Sequence, residues 1–106
     1  DPVFSANDIR DWYKKLVENM GNVDNFARLF MVPGMNHCGG GPAMENFDAL
    51  TALVKWTENG VAPDYIVGKA GKEYPDPNKE QPLCPYPKVA TYVGGDKNKV
   101  SSFECK

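Results

Sequence analysis

Apolar residues recur every three or four positions between Ser5 and Met20. Ile9, Trp12, Tyr13, Leu16, Val17 and Met20 share one face of a predicted helix, and Asp8, Arg10, Asp11, Lys14, Lys15 and Glu18 fill the other. Ser5 stands at the capping position, with Asp8 in the reciprocal place of a capping box. Gly21, just past the last apolar residue, suits a left-handed C-terminal cap. A dense apolar run from Phe26 to Val32, interrupted at Arg28 and stopped by Pro33-Gly34, predicts a buried strand in the interior of a sheet. The loop Met35 to Pro42 follows and holds the sole histidine, His37. A second helix is predicted from about Met44 or Asn46 to Asn59, with Phe47, Leu50, Leu53, Val54 and Thr57 along one face and Gly60 ending it. Beyond it the pattern weakens. Tyr65 to Val67 predicts a short strand, Gly68 to Leu83 an exposed loop, Lys88 to Val93 another strand, and Gly94-Gly95-Asp96 a turn. The predicted order is helix, buried strand, histidine loop, helix and irregular tail, with no repeat and no low-complexity tract.

At 106 residues the chain holds one domain at most, near the lower size for burying a core unaided. Twelve Lys+Arg against 14 Asp+Glu give a net charge of −2 with no basic run, which argues against nucleic acid or an acidic membrane as partner. No apolar stretch is long enough to span a bilayer. The chain opens on Asp-Pro-Val-Phe without an initiator Met, which points to a piece of a larger protein. Three cysteines leave one over under any pairing. In a secreted protein the odd one is bonded outside this sequence or is a free thiol; three reduced cysteines in the cytosol is the other reading.

Two residues carry the candidate chemistry. His37 lies directly after a predicted strand, where α/β folds place ligands and catalytic groups, and Gly39-Gly40-Gly41 permits close backbone approach. Asp1 precedes the first helix. An Asp after one strand and a His after the next is the order in which an α/β-hydrolase ends, and the helix between them would bring the two side by side. In such a pair the carboxylate holds the imidazole in the tautomer that accepts a nucleophile's proton. Other chemistries fare badly. No C-x-x-C or zinc-ligand spacing exists, and Cys38 is adjacent in sequence to its only possible base. The glycine run lacks the Gly-Lys-Ser/Thr of a phosphate loop. None of Ser5, Ser101 and Ser102 sits in a G-x-S-x-G elbow.

The segments Asp1-Pro2-Val3-Phe4-Ser5, Val32-Pro33-Gly34-Met35-Asn36-His37-Cys38-Gly39-Gly40-Gly41 and Leu83-Cys84-Pro85-Tyr86-Pro87-Lys88-Val89-Ala90 together resemble the tannase/feruloyl esterase family. That group of α/β-hydrolases includes the mono(2-hydroxyethyl) terephthalate hydrolases. The resemblance runs along essentially the whole chain. It implies that residues 1–106 are the C-terminal segment of an α/β-hydrolase catalytic domain, without the nucleophile region, the oxyanion hole or the calcium-binding lid domain. It further implies Asp1 as triad acid, His37 as triad base and Phe4 as a wall of the aromatic acyl pocket. Cys38 would pair with a cysteine beside the nucleophilic serine, outside this chain, and Cys84 would pair with Cys105. The expected substrate is an ester of a feruloyl, galloyl or terephthaloyl type of acid, and the expected location is secreted or periplasmic. No cofactor or metal is expected in this segment. Alone, the segment is expected to be inert and to fold poorly, because Leu29 to Val32 would be a strand without neighbours. The alternative is a non-catalytic, disulfide-stapled secreted domain or an inactive fragment.

Overall fold

The first helix, α1 (Ala6–Met20), forms where the apolar spacing places it. Its start differs from the predicted capping box: the Ser5 side chain makes no cap bond, and only the Ser5 carbonyl accepts the Asp8 N–H at 3.2 Å. The reciprocal arm of a capping box needs the reach of Glu or Gln, which Asp8 lacks by one methylene. Gly21 takes a positive φ of 76° and its N–H bonds the Val17 carbonyl at 2.8 Å, but its ψ of −138° lies outside the left-handed helical well. The computed structural model describes residues 1–106.

The predicted buried strand at Phe26 to Val32 is not formed. Val23, the most buried large side chain, opens a turn in which its carbonyl accepts the N–H groups of Phe26 and Ala27. Residues 29–32 then run half-buried, and their one ladder contact is a bridge between Phe30 and Pro85, with the Tyr86 N–H on the Leu29 carbonyl at 2.7 Å. Pro85 has no N–H to extend that ladder, so a single bridge is all this neighbour provides. No parallel sheet exists among these residues. The α/β alternation of the sequence is present, but its central strand is an extended segment with an unpaired edge.

The second helix, α2, spans Ala49–Asn59 and starts later than predicted because Asp48 caps it. Asp48 Oδ1 accepts the Thr51 N–H (2.9 Å) and Oδ2 the Thr51 hydroxyl (2.7 Å). These two bonds, the hydroxyl's first, hold the Asp48 carboxyl below its ordinary pKa. Upstream, Ala43 and Met44 are buried, and Asn46 exchanges backbone hydrogen bonds with Lys69. Gly60 ends α2 in the left-handed conformation, as its position predicts.

The tail is more regular than the sequence suggests. Strands β1 (Ile66–Lys69) and β2 (Glu80–Leu83) pair antiparallel, with Ile66 opposite Leu83 and Lys69 opposite Glu80. Six of the sixteen residues of the predicted 68–83 loop are therefore sheet. Glu80, Gln81 and Pro82 are poor strand formers in isolation, and pairing with β1 overrides that preference. Strands β3 (Ala90–Tyr92) and β4 (Phe103–Cys105) form a second antiparallel pair. A disulfide joins Cys84, next to β2, to Cys105, at the end of β4, with Cα atoms 5.6 Å apart. It staples one two-stranded sheet to the other. Closing a loop of 21 residues is worth about 3 kcal/mol in the chain-entropy model. Reduction is expected to raise amide exchange at Ala90–Tyr92 and Phe103–Cys105 while α1 keeps its protection. Equal exchange in the reduced and oxidised forms would show that the bond holds nothing.

The core is thin: 11 of 106 residues are buried, among them Tyr13, Val23, Ala43, Met44, Leu83 and Cys84. Tyr13 stands edge-on to Tyr86 and donates its hydroxyl to the Ala27 carbonyl at 3.3 Å. Burial, the largest influence, pushes its phenol pKa up. Both helices leave their apolar faces open, with Trp12 60% and Leu50 72% exposed. The accessible surface is 7130 Å², against about 5,900 Å² for a compact monomer of this mass. Amphipathic patterning that the chain itself does not cover is the physical content of that excess.

Candidate active site

Asp1 precedes α1 and folds back on the chain. Its Oδ1 accepts the backbone N–H of Val3 (2.7 Å) and of Phe4 (3.2 Å), a local turn that leads into the helix. The other oxygen, Oδ2, lies 3.0 Å from His37 Nδ1. A carboxylate only accepts, so the proton of this bond sits on Nδ1; in the neutral imidazole that leaves the Nε2 lone pair free. The Phe4 ring stands 5.4 Å from the imidazole, tilted by 56°. The His37 side chain is 47% exposed and that of Asp1 30%, so the pair opens onto a surface.

His37 is carried by a tight loop. Gly34 (φ 78°) starts it, and the Asn36 N–H donates to the Gly40 carbonyl at 2.9 Å, closing the turn around His37. Every residue from Cys38 to Gly41 has a positive φ: 63°, 150°, 80° and 87°. For Cys38, the only non-glycine so placed, this costs about 1–2 kcal/mol. A Cβ built on Gly41 would run into the Gly34 carbonyl oxygen, so the glycine is needed for space as well as for φ.

Two acidic residues that sequence reasoning passed over fasten this loop. Glu45 Oε2 accepts the Gly40 N–H, and Glu73 Oε1 accepts the Gly41 N–H at 3.1 Å. Neither is flagged by a motif. The one signal was an acidic residue shortly after a glycine run, which is ordinary in soluble proteins.

The sequence candidates thus separate into two groups. Asp1, His37, Phe4 and Cys38 lie together, and Cys38 carries an exposed free thiol. Cys84 and Cys105 form their disulfide elsewhere. No serine hydroxyl bonds His37, whose one polar partner is Asp1. An apolar hollow of about 220 Å³ opens beside the pair, lined by Phe4, Ile9, Phe30, Met31, Met35 and Cys38 among others. A larger one of about 560 Å³, at Asn22, Arg28 and Trp56, contains neither histidine nor cysteine and shares no residue with the pair. No three or more His, Cys, Asp or Glu side chains gather in a way that could hold a metal ion. No helix is long and apolar enough to cross a membrane.

Comparison with known proteins matches all of residues 1–106 to the family described as tannase and feruloyl esterase. A mono(2-hydroxyethyl) terephthalate hydrolase of Piscinibacter sakaiensis is 48% identical over 108 residues, covering 99% of this chain and 18% of the relative. Feruloyl esterase C of Talaromyces stipitatus is 32% identical, covering 99% of this chain and 24% of the relative. The crystal structure of feruloyl esterase B from Aspergillus oryzae superposes with a TM-score of 0.77 at 29% identity, over 96% of this chain and 24% of that one. The chain spans about a fifth to a quarter of the length of these proteins.

Proposed function

Since the chain belongs to the tannase and feruloyl esterase family, we propose that residues 1–106 are the C-terminal segment of the catalytic domain of a secreted serine esterase acting on aromatic acid esters. The observation that carries this reading is the 3.0 Å contact between Asp1 Oδ2 and His37 Nδ1, with the His37 side chain 47% exposed.

The serine belongs to the remainder of the polypeptide. His37 Nε2 takes its hydroxyl proton as the serine oxygen attacks the ester carbonyl carbon. The tetrahedral intermediate collapses, the C–O bond to the alcohol breaks, and the imidazolium returns the proton to the leaving oxygen. Water then attacks the acyl-enzyme with His37 again as base, releasing the acid and free serine. Asp1 stabilises the imidazolium at each stage. Phe4 gives the aromatic acyl group an edge to pack against, and terephthaloyl or feruloyl esters, the substrates named for the relatives, are the first to try. Cys38 pairs with a cysteine next to the serine, which would tie the histidine loop to the nucleophile.

The complete polypeptide is to be assayed with mono(2-hydroxyethyl) terephthalate, methyl ferulate and a gallate ester, following release of the aromatic acid. Hydrolysis of at least one, abolished by a serine-directed phosphonate, is the expected result, with residues 1–106 alone inert. A complete polypeptide that cleaves none of them overturns the reading. Intact mass before and after reduction checks the Cys38 bond separately.

A further inference from the structure

We propose that Glu45 and Glu73 are positioning residues for His37: their carboxylates clamp the consecutive Gly40 and Gly41 amides and so fix the imidazole against Asp1. This rests on the esterase reading, which supplies the reaction that the positioning serves.

Cys38 to Gly41 form a stretch of four successive residues with positive φ, three of them glycines with many other conformations open to them. Something must hold it. The stretch turns the N–H groups of Gly40 and Gly41 outwards in succession, making a small concavity that favours a negative charge. Each N–H has its own carboxylate, Glu45 on Gly40 and Glu73 on Gly41. Hydrogen bonds from backbone N–H to an ionised carboxylate are roughly twice as strong as neutral ones. Both carboxylates are anchored in turn. Glu45 lies between Ala43, whose carbonyl accepts the Gly71 N–H at 2.9 Å, and Asn46, which exchanges two backbone bonds with Lys69. Glu73 comes from the turn linking β1 to β2. A Cβ on Gly71 would collide with the Glu45 carboxyl, so Gly71 leaves the space in which that side chain lies. The histidine loop is thereby referred to the β1–β2 sheet through two acidic side chains. The chain reverses at Asn36–Gly40 within hydrogen-bonding distance of itself, so displacement of Gly40 moves His37 directly.

The test uses the complete polypeptide and its preferred ester. Glu45→Ala is expected to lower kcat about 10- to 100-fold, the cost of misplacing a catalytic group by an ångström or so, with KM within about twofold. Glu45→Gln, which keeps a carbonyl acceptor of the same size, is expected to restore most of the loss. Glu73→Ala gives a smaller change of the same kind. A second readout is independent of turnover: the low-field proton resonance of the His37 Nδ1–H···Asp1 bond, assigned by its disappearance in His37→Ala, is expected to broaden in Glu45→Ala and to return in Glu45→Gln. Glu73→Ala serves if Glu45→Ala does not fold. Unchanged kcat and resonance in the alanine variants overturn the proposal. So does a kcat loss that Gln fails to rescue and that follows a lowered melting temperature, which would mark a structural role only. If wild type hydrolyses no ester, the functional reading fails, and the resonance still reports whether the clamp holds.

Discussion

Replacing His37 with alanine in the complete polypeptide is expected to lower kcat on an aromatic ester by about 10⁵- to 10⁶-fold, leaving KM within a few-fold. The size of the loss follows from the absence of a substitute. His37 is the only histidine in the chain, and its imidazole has one polar partner, Asp1, on the Nδ1 side. Nε2 is thus the one nitrogen available to take the proton of an incoming serine. Without it the serine must attack as a neutral hydroxyl, and the leaving alcohol must depart as an alkoxide. Under the proposed function, binding of the acyl group depends on apolar surface such as Phe4 and on residues outside this segment, so KM is expected to change little. Steady-state kinetics with active-site titration checks the prediction. A variant within tenfold of wild type would remove His37 from the mechanism.

The Asp1–His37 pair was legible in the sequence in two steps. The order Asp, helix, histidine loop made the pairing plausible, and the resemblance of the motifs around Asp1 and His37 to the tannase/feruloyl esterase family singled out these two residues. Both helices were legible because the 3.6-residue period is a local property that survives without knowledge of the rest of the fold. What failed were the statements that depended on partners. Leu29 to Val32 has the composition of a central strand, yet a strand is defined by its neighbours, and the neighbour it meets is Pro85. Glu80 to Leu83 has little strand character, yet becomes β2 because Ile66 to Lys69 lies opposite. Glu45 and Glu73 were invisible for a similar reason. Their role is set by glycine amides 5 and 32 residues away, and no spacing rule connects a carboxylate to such a donor.

The exposed helix faces belong to the same argument. Ile9, Trp12 and Met20 on α1 and Leu50 and Leu53 on α2 are patterned for burial and are uncovered. Under the proposed function the remainder of the catalytic domain covers them, and the unpaired edge at Leu29 to Val32 meets its strand partner there. On that reading, the sequence patterning records the environment of the complete protein, and the thin core of these residues follows from their being one part of it.

Asp1→Asn is expected to lower kcat by about 10⁴-fold with KM nearly unchanged, through the wrong tautomer of His37. The local hydrogen bonds decide how the new amide must lie. Oδ1 of Asp1 accepts two backbone N–H groups, from Val3 and Phe4, and an NH₂ group there would face two donors with a third. The asparagine carbonyl oxygen therefore stays on Val3 and Phe4, and its NH₂ is turned towards His37 Nδ1. Nδ1 must then accept, the imidazole proton moves to Nε2, and the nitrogen that faces the serine has no lone pair to offer. The turn into α1 and the place of Phe4 survive, so stability and KM are spared while the base is disabled. Nitrogen NMR of the imidazole is the decisive check, because it reports which ring nitrogen carries the proton. A protonated Nε2 in the variant, together with the loss in kcat, is the expected result. A variant that keeps its proton on Nδ1, or that retains kcat within tenfold of wild type, would mean that the Asp1 carboxylate does not set the tautomer and that another group performs its role.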